Sequence, residues 1–328
     1  MRIVFMGTPD FAVPTLEILH RTGYEITGVF TQPDKPAGRG NKLKAGPVKE
    51  AAMKLGLSVF QPVRIKAPEA VALLRELRPD CIVVVAFGQI LSAEILHIPP
   101  FGCINVHASL LPQYRGAAPI HRAVLNGDKM TGITTMFMDE GLDTGDILLQ
   151  AEIPIEQNDS VGVVHDQLAQ TGAQLLLDTL KKIKEKTLRR TPQSQDFTYA
   201  PMLTKEDEYL DWKGEATQIH NQIRGLNPWP GACTSFRGEK VKIWSSEIVG
   251  EWRPELAEQT AKEEALKENR AEATIPGTIL AMTAKGFICS TGRGYIEILE
   301  IQPAGKTRMK ARDFINGRRI SPGEFFGE

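Results

Sequence analysis

Cysteine is scarce in this chain: four in 328 residues, Cys81, Cys103, Cys233 and Cys289, with no C-x-x-C pair. That excludes a disulfide framework and a thiolate zinc site. Cys81 and Cys103 sit in apolar runs (Cys81-Ile82-Val83-Val84-Val85 and Cys103-Ile104), as small hydrophobes of a reducing compartment do. No apolar run is long enough to span a bilayer, and Met1-Arg2-Ile3-Val4-Phe5-Met6-Gly7 enters a strand-like segment without a signal peptide's h-region. The expectation is a cytoplasmic protein without membrane attachment. Charge excess is missing too, with 39 Lys plus Arg against 40 Asp plus Glu. A polyanionic partner must therefore meet a local basic patch. Met6-Gly7-Thr8-Pro9-Asp10 follows a strand but is not G-x-G-x-x-G, so a dinucleotide fingerprint is absent. His20, His97, His121, His165 and His220 share no ligand spacing and read as surface or structural.

What is present has a clear rhythm. Apolar, β-branched runs at 3–6, 26–30, 81–86 and 103–106 alternate with helical patterns at 13–20, 47–55 and 68–77. Strand, helix, strand at this spacing predicts βαβ units and a mostly parallel sheet covered on both faces, an α/β domain. A long helical pattern at 160–186 opens on Ser160 and ends in a basic turn. Residues 189–208 are polar, contain Pro192 and Pro201, and read as a surface linker. A helix at 217–224, stiff turn chemistry at Asn227-Pro228-Trp229-Pro230, and short strands at 234–236, 241–245, 278–282, 287–289 and 295–300 follow. They predict a small antiparallel barrel. An Ala/Glu/Lys-rich stretch at 251–273 interrupts it as a solvated helix. The expected domains are 1–188 and 209–328, with the linker 189–208 between.

Three segments hold candidate chemistry. In Cys103-Ile104-Asn105-Val106-His107-Ala108-Ser109-Leu110-Leu111-Pro112, alternation puts Asn105 and His107 on one face of a strand. An amide that donates to a developing oxyanion, beside an imidazole that moves a proton, suits acyl transfer; such a donor contributes roughly 10²–10³ in rate. Capping of a strand end is the alternative. With no serine or cysteine where a covalent nucleophile would be needed, direct attack by a substrate amine is the simpler scheme. In Met138-Asp139-Glu140-Gly141-Leu142-Asp143-Thr144-Gly145-Asp146, Asp143 lies between glycines on a loop able to approach a ligand, where it orients His107. A plain turn is the other reading, and calcium spacing is missing. The segment 31–47 follows the second strand and carries Lys35, Arg39, Lys42 and Lys44 against Asp34. It reads as a cationic loop for a phosphate-bearing macromolecule, or as a solvated surface loop. The stretch 306–319 is also basic and a second candidate phosphate-tracking surface.

Taken in order, these segments resemble the methionyl-tRNA formyltransferase family over nearly the whole chain. The resemblance rests on Met6-Gly7-Thr8-Pro9-Asp10-Phe11-Ala12, Gln32-Pro33-Asp34-Lys35-Pro36-Ala37-Gly38-Arg39-Gly40, Asn105-Val106-His107-Ala108-Ser109-Leu110-Leu111-Pro112, Tyr114-Arg115-Gly116-Ala117-Ala118-Pro119-Ile120, Gly141-Leu142-Asp143-Thr144-Gly145-Asp146 and Asn227-Pro228-Trp229-Pro230. It implies a Rossmann-like formyltransferase domain followed by an OB-like barrel that binds tRNA. It also implies 10-formyltetrahydrofolate as co-substrate, no metal, and charged initiator methionyl-tRNA as acceptor for a monomeric enzyme. Asn105, His107 and Asp143 match the catalytic positions. Ser109, Leu110, Leu111 and Pro112 match the folate-binding stretch, with Phe87, Gly88, Gln89 and Ile90 as the pterin loop and Asp139 beside them. Lys35, Arg39, Lys42 and Lys44 fall on the loop that meets the tRNA acceptor end. Other amine acceptors, or a tRNA-binding module with a decayed folate site, are the competing readings.

Overall fold

A computed structural model describes residues 1–37, 42–250 and 275–327, with backbone only for Ala37 and Lys42. Arg39 and the charged stretch 251–273 lie outside the described residues. The chain forms two compact units, and the division is not a single cut. Unit 1 comprises 1–120, 130–154 and 164–201; unit 2 comprises 121–129, 155–163 and 202–328.

In unit 1 the apolar runs become strands β1 (Arg2–Gly7), β2 (Glu25–Phe30), β3 (Lys35–Ala37), β4 (Lys42–Lys44), β5 (Val59–Phe60), β6 (Cys81–Val85), β7 (Cys103–His107), β8 (Arg115–Gly116), β9 (Met130–Phe137) and β10 (Ile147–Pro154). Their helices are α1 (Val13–Arg21), α2 (Pro47–Lys54), α3 (Pro68–Glu76) and α4 (Ala93–Leu96); α5 (Pro119–Asn126) and α6 (Val161–Lys184) run on across the unit boundary. The helices α1, α2 and α3 each start with proline at N1 or N2, where its missing N–H costs nothing. The seven-stranded sheet runs β10-β9-β7-β6-β1-β2-β5. Pairings from β7 through β5 are parallel. All of β6 is buried, as expected of a strand covered on both faces. The chain builds outward from β1 through β2 to β5, then returns with β6 on the other side of β1. The switch in winding, where open α/β sheets bind ligands, therefore lies between β1 and β6.

The sheet is not wholly parallel. β9 lies antiparallel to β7, and β10 antiparallel to β9. Neither strand announces itself in sequence, because β9 is buried on both faces yet carries three threonines. Two of them are satisfied by hydrogen bonds in the core: Thr135 Oγ1 meets Thr179 Oγ1 at 2.8 Å, and Thr134 Oγ1 donates to the Ser109 carbonyl at 2.7 Å. Within the basic segment after β2, β3 and β4 pair as an antiparallel ladder.

After β11 (Tyr199–Ala200), which pairs with β8, unit 2 holds α7 (Ala216–Gly225), β12 (Ala232–Phe236), β13 (Glu239–Val249), β14 (Ile279–Met282), β15 (Phe287–Ser290), β16 (Tyr295–Pro303), β17 (Met309–Lys310) and α8 (Ala311–Arg318). The antiparallel order is β12-β13-β16-β15-β14, with β17 on β16. The C-terminal residues close it: Phe326 bridges Phe236 at the end of β12, and Phe325 bridges Thr278 just before β14. Closure removes the free edges that an open sheet would expose. Phe326 is buried and packs its ring on Trp212, Phe236 and Phe287. No helix among the described residues is long and apolar enough to cross a membrane.

Buried polar groups in unit 2 find partners along distant stretches of chain. The His220 Nε2 proton goes to the Gln157 carbonyl at 2.9 Å and Nδ1 faces the Ser246 hydroxyl at 3.1 Å. Burial lowers the His220 pKa below 6.5, so the folded ring stays neutral.

Two stability tests follow. Phe326→Ala should cost about 3–5 kcal/mol in unit 2, read as a lower urea midpoint for its transition in the full chain. For His220, the unfolded chain takes up a proton near pH 6.5 before the folded chain does. Its contribution is thus complete above about pH 6.5 and shrinks as pH falls below that value. Urea midpoints across pH 8 to 5.5 should show this decline, and His220→Gln should flatten it.

Candidate active site

Three side chains converge on one face of the sheet of unit 1. On β7, Ile104 and Val106 are buried into one face, and alternation sends Asn105 and His107 to the other. The chain leaves β9 at Phe137, opposite Ile104, and the loop 138–146 carries Asp143 onto that same face. Asp143 stands at φ +54, a left-handed conformation that aspartate tolerates better than most residues. Its carboxylate accepts the Gly116 N–H at 2.9 Å and a longer bond from Asn105 Nδ2 at 3.4 Å. His107 Nδ1 lies 3.7 Å from Asp143 Oδ2.

The tautomer of His107 is fixed from the other side. Its Nε2 sits 3.0 Å from the Tyr114 carbonyl, and a carbonyl only accepts, so Nε2 carries a proton. Tyr114, at φ +62, turns that carbonyl inward. Nδ1 is left as the nitrogen free to gain or lose a proton, facing the carboxylate. The arrangement provides an amide donor, a proton carrier and a pinned anion within one turn of hydrogen bonds. A protein nucleophile is not among them. The Cys103 thiol on the same strand is pushed up to about 12 by burial, and the Ser109 hydroxyl is fully buried and donates to the Gln113 carbonyl at 2.6 Å.

One residue that the sequence reading passed over holds the loop. Gln193, in the stretch read as linker, donates Nε2 to the carbonyls of both Asp143 and Gly145 at 2.8 Å. Its Oε1 accepts Nε and Nη2 of the buried Arg115, at 3.0 and 2.7 Å, while that guanidinium lies 4.4 Å over the Phe197 ring. Arg115 precedes Gly116, the donor to Asp143, so one clamp grips both sides of the carboxylate. The loop also braces itself: Asp139 Oδ1 accepts from Thr144 Oγ1 at 2.6 Å and from the Gly141 N–H at 3.1 Å. A side chain at Gly145 would put Cβ 2.0 Å from the Phe137 carbonyl oxygen, so only glycine fits there.

The expected folate residues divide by what they present. Phe87 is buried, and its carbonyl accepts Thr8 Oγ1 at 3.0 Å and Gln32 Nε2 at 3.1 Å, tying the ends of β1, β2 and β6 together at the switch point. Gln89 is spent on Ile65 N–H and the Pro62 carbonyl. Gly88, at φ +81, and Ile90, 86% exposed, are what this loop offers outward. Ser109 and Leu111 are buried, and the Ser109–Leu111 turn hangs on Thr134 and Gln150 by hydrogen bonds. Leu110 and Pro112 are only half-buried. Asp139 is exposed and occupied with its own turn.

Lys35 and Lys44 are exposed and face each other across the β3–β4 ladder. Directly opposed like charges oppose pairing, so the hairpin concentrates positive charge at some cost. Asp34, at its base, pairs with Lys49 at 2.6 Å and accepts Gln61 at 2.8 Å, which hold its carboxyl below the usual range. Of Lys42 the backbone pairing with Ala37 is described. No group of three or more metal-ligating side chains occurs among the described residues.

This site can be set beside known proteins. The family model for formyl transferase matches residues 1–180, and that for the formyl transferase C-terminal domain matches 202–319. A methionyl-tRNA formyltransferase of Acetivibrio thermocellus is 48% identical over 329 residues, covering all of both chains. The chain belongs to the methionyl-tRNA formyltransferase family. A Bacillus subtilis member is 46% identical over 330 residues, covering 99% of this chain and 98% of its own. Likeness to solved structures extends the fold further. HypX from Aquifex aeolicus in complex with tetrahydrofolic acid superposes with a TM-score of 0.65 at 15% identity, over 99% of this chain and 48% of that one. WlaRD, a sugar 3N-formyl transferase, gives 0.62 at 19% identity, over 94% and 99%.

Within this family member, the Gln193 clamp makes a local prediction. Gln193→Ala removes the two hydrogen bonds it donates to the loop, worth about 1 kcal/mol each, and the two it accepts from Arg115. Amide hydrogen exchange across 141–146 should then quicken by roughly tenfold or more.

Proposed function

We propose that this chain transfers the formyl group of 10-formyltetrahydrofolate to the free amine of methionine on charged initiator tRNA, as a cytoplasmic monomer. Membership of the family supports the reaction. The observation that carries the residue roles is the convergence of Asn105, His107 and Asp143 with no protein nucleophile beside them.

The donor set fits a folate formyl donor: an amide N–H for the formyl oxygen, an imidazole for a proton, and an exposed apolar side chain at Ile90 beside Gly88 for a flat ring. When bound, the co-substrate supplies a formyl carbon activated by its nitrogen leaving group. Gly88, Ile90, Leu110 and Pro112 would contact it, while Phe87, Gln89, Ser109 and Leu111 would shape the walls and Asp139 would brace the loop beside it.

Asn105 Nδ2 donates to the formyl oxygen as charge builds there. His107, held through Nε2 by Tyr114, uses Nδ1 to take the proton that the amine releases and pass it to the folate nitrogen as the bond from that nitrogen to the formyl carbon breaks. Asp143 keeps the imidazole oriented and steadies its charged form, as a fixed carboxylate does for a catalytic histidine. Direct attack by the amine needs both partners aligned, which is where a rigid β7 and a clamped loop contribute. The tRNA is met by the hairpin of Lys35 and Lys44, together with Arg39 and Lys42, and by unit 2.

Charged initiator and elongator Met-tRNA, incubated separately with enzyme and formyl donor, test the acceptor. Formyl-methionine should form on the initiator and fall steeply with salt. Transfer only to small amines would overturn the tRNA reading. In single-turnover transfer at saturating donor, Asn105→Ala and His107→Ala should each slow the step by roughly 10²–10³. A rate within a few-fold of wild type would remove that residue from its role.

A further inference from the structure

In unit 2 a large aromatic ring stands half in water on a turn. Trp229, in the turn after α7, is 50% exposed, whereas Trp212 of the same unit is 4% exposed. It stacks on the buried His121 ring, centroids 4.1 Å apart and planes 18° from parallel. One face is therefore covered and the other is turned to solvent. Pro228 and Pro230 flank it, each with a fixed φ and no N–H, so the ring stands on a stiff mount. Pro228 is itself packed close to Gly162, where an added Cβ would lie 2.7 Å from its ring.

The surface continues across the barrel. Gly231, at φ +90, lies so near Trp244 that a Cβ would meet its ring at 2.6 Å. The Trp244 indole donates to Gln302 at 2.9 Å, which fixes the ring plane. Lys242 and Arg308 flank that ring, at 5.4 and 5.3 Å from its centre. The Lys242 ammonium also donates to the Pro230 carbonyl, so it is tied to the Trp229 turn. Arg308 is steadied by Glu300, and Lys306 and Lys310 stand exposed nearby in sequence.

A flat ring offered to solvent from a stiff turn, with cations along one side, matches a ligand that is both planar and anionic. An unpaired nucleotide has both properties: its base stacks on an aromatic face whatever its identity, and its phosphate meets the cations. An acidic peptide would satisfy the cations but would not use the open face of Trp229. We propose that Trp229 is a stacking platform for an unstacked base of the bound tRNA, with the adjoining phosphates on Lys242 and Arg308. The proposal rests on the tRNA reading above and adds to it the surface that grips.

The test separates stacking from charge. Measured by tRNA binding over a salt series, Trp229→Ala should raise Kd roughly 5- to 100-fold, the range of base–aromatic stacking, and leave the salt slope unchanged. The double variant Lys242→Ala, Arg308→Ala should instead flatten the slope by about one to two units. Trp229→Leu keeps apolar cover over His121 without a flat ring. It should match the alanine variant in binding while unfolding at the wild-type temperature; Trp229→Phe should recover most of the affinity. A Kd within twofold of wild type for both alanine and leucine variants overturns the platform. So does a shift in sedimentation of the free protein caused by Trp229→Ala with tRNA affinity unmoved, which would give the face to a second copy of the chain. Formyl transfer to tRNA by wild type, with Trp229→Ala binding unaffected, sinks this surface and leaves the transferase reading intact. Loss of RNA affinity in that variant, with no formyl transfer by wild type, does the reverse.

Discussion

The Asp143 carboxylate is the constraint on which the site depends. A partly buried anion is tolerable only when its charge is met by donors, and here they come from separate stretches of chain. Asn105 lies on β7, Gly116 on β8, and the loop's own carbonyls are held by Gln193 from a third stretch. Each must be in place before the others have a partner. The antiparallel β9 is part of the same requirement, because it returns the chain to the level of Ile104 and so launches the loop toward β7. A fully parallel sheet would have to reach that point by another crossover.

Much of this architecture can be read from residue order. Proline at the first turn marks three helices, and the β-branched runs mark β1, β2, β6 and β7. Asn105 and His107 stand out because polar residues alternate with aliphatic ones in an otherwise buried strand. Asp143 stands out because glycines surround it. Local patterns suffice there, since the cause is local. They fail where the partner is remote. Thr134 and Thr135 of β9 look like loop residues until Ser109 and Thr179 satisfy them. Gln193 is an ordinary glutamine in a polar stretch, and nothing near it in sequence points to Arg115 or to the 143–145 carbonyls. The Tyr114 carbonyl that fixes the His107 tautomer is backbone and has no side-chain signature at all. Arg39 and 251–273 lie outside the described residues.

Two styles of rigidity coexist in the molecule. Around Asp143 it comes from charge and hydrogen bonds, which position atoms to a fraction of an ångström but tolerate little change in partner. Around Trp229 it comes from prolines and stacked rings, which hold a surface without specifying one contact. Chemistry on a single carbonyl needs the first. Holding a long, irregular polymer is better served by the second.

The interleaving of the two units bears on how such a chain can be inherited. Arg224, buried in unit 2, donates to the carbonyls of Glu156 and Asp159, and Leu125 packs against the barrel core. These partners are encoded far upstream, between stretches that belong to unit 1. A recombination event that joined a foreign catalytic half to this barrel at residue 202 would put foreign backbone at two of the three acceptors of that guanidinium, Asn221 remaining, and a foreign side chain at the place of Leu125. Only exchanges that carry 121–129 and 155–163 along with the barrel would spare it. The backbone of 155–163 and the side chain of Leu125 are thus constrained by a unit that lies mostly elsewhere in the gene.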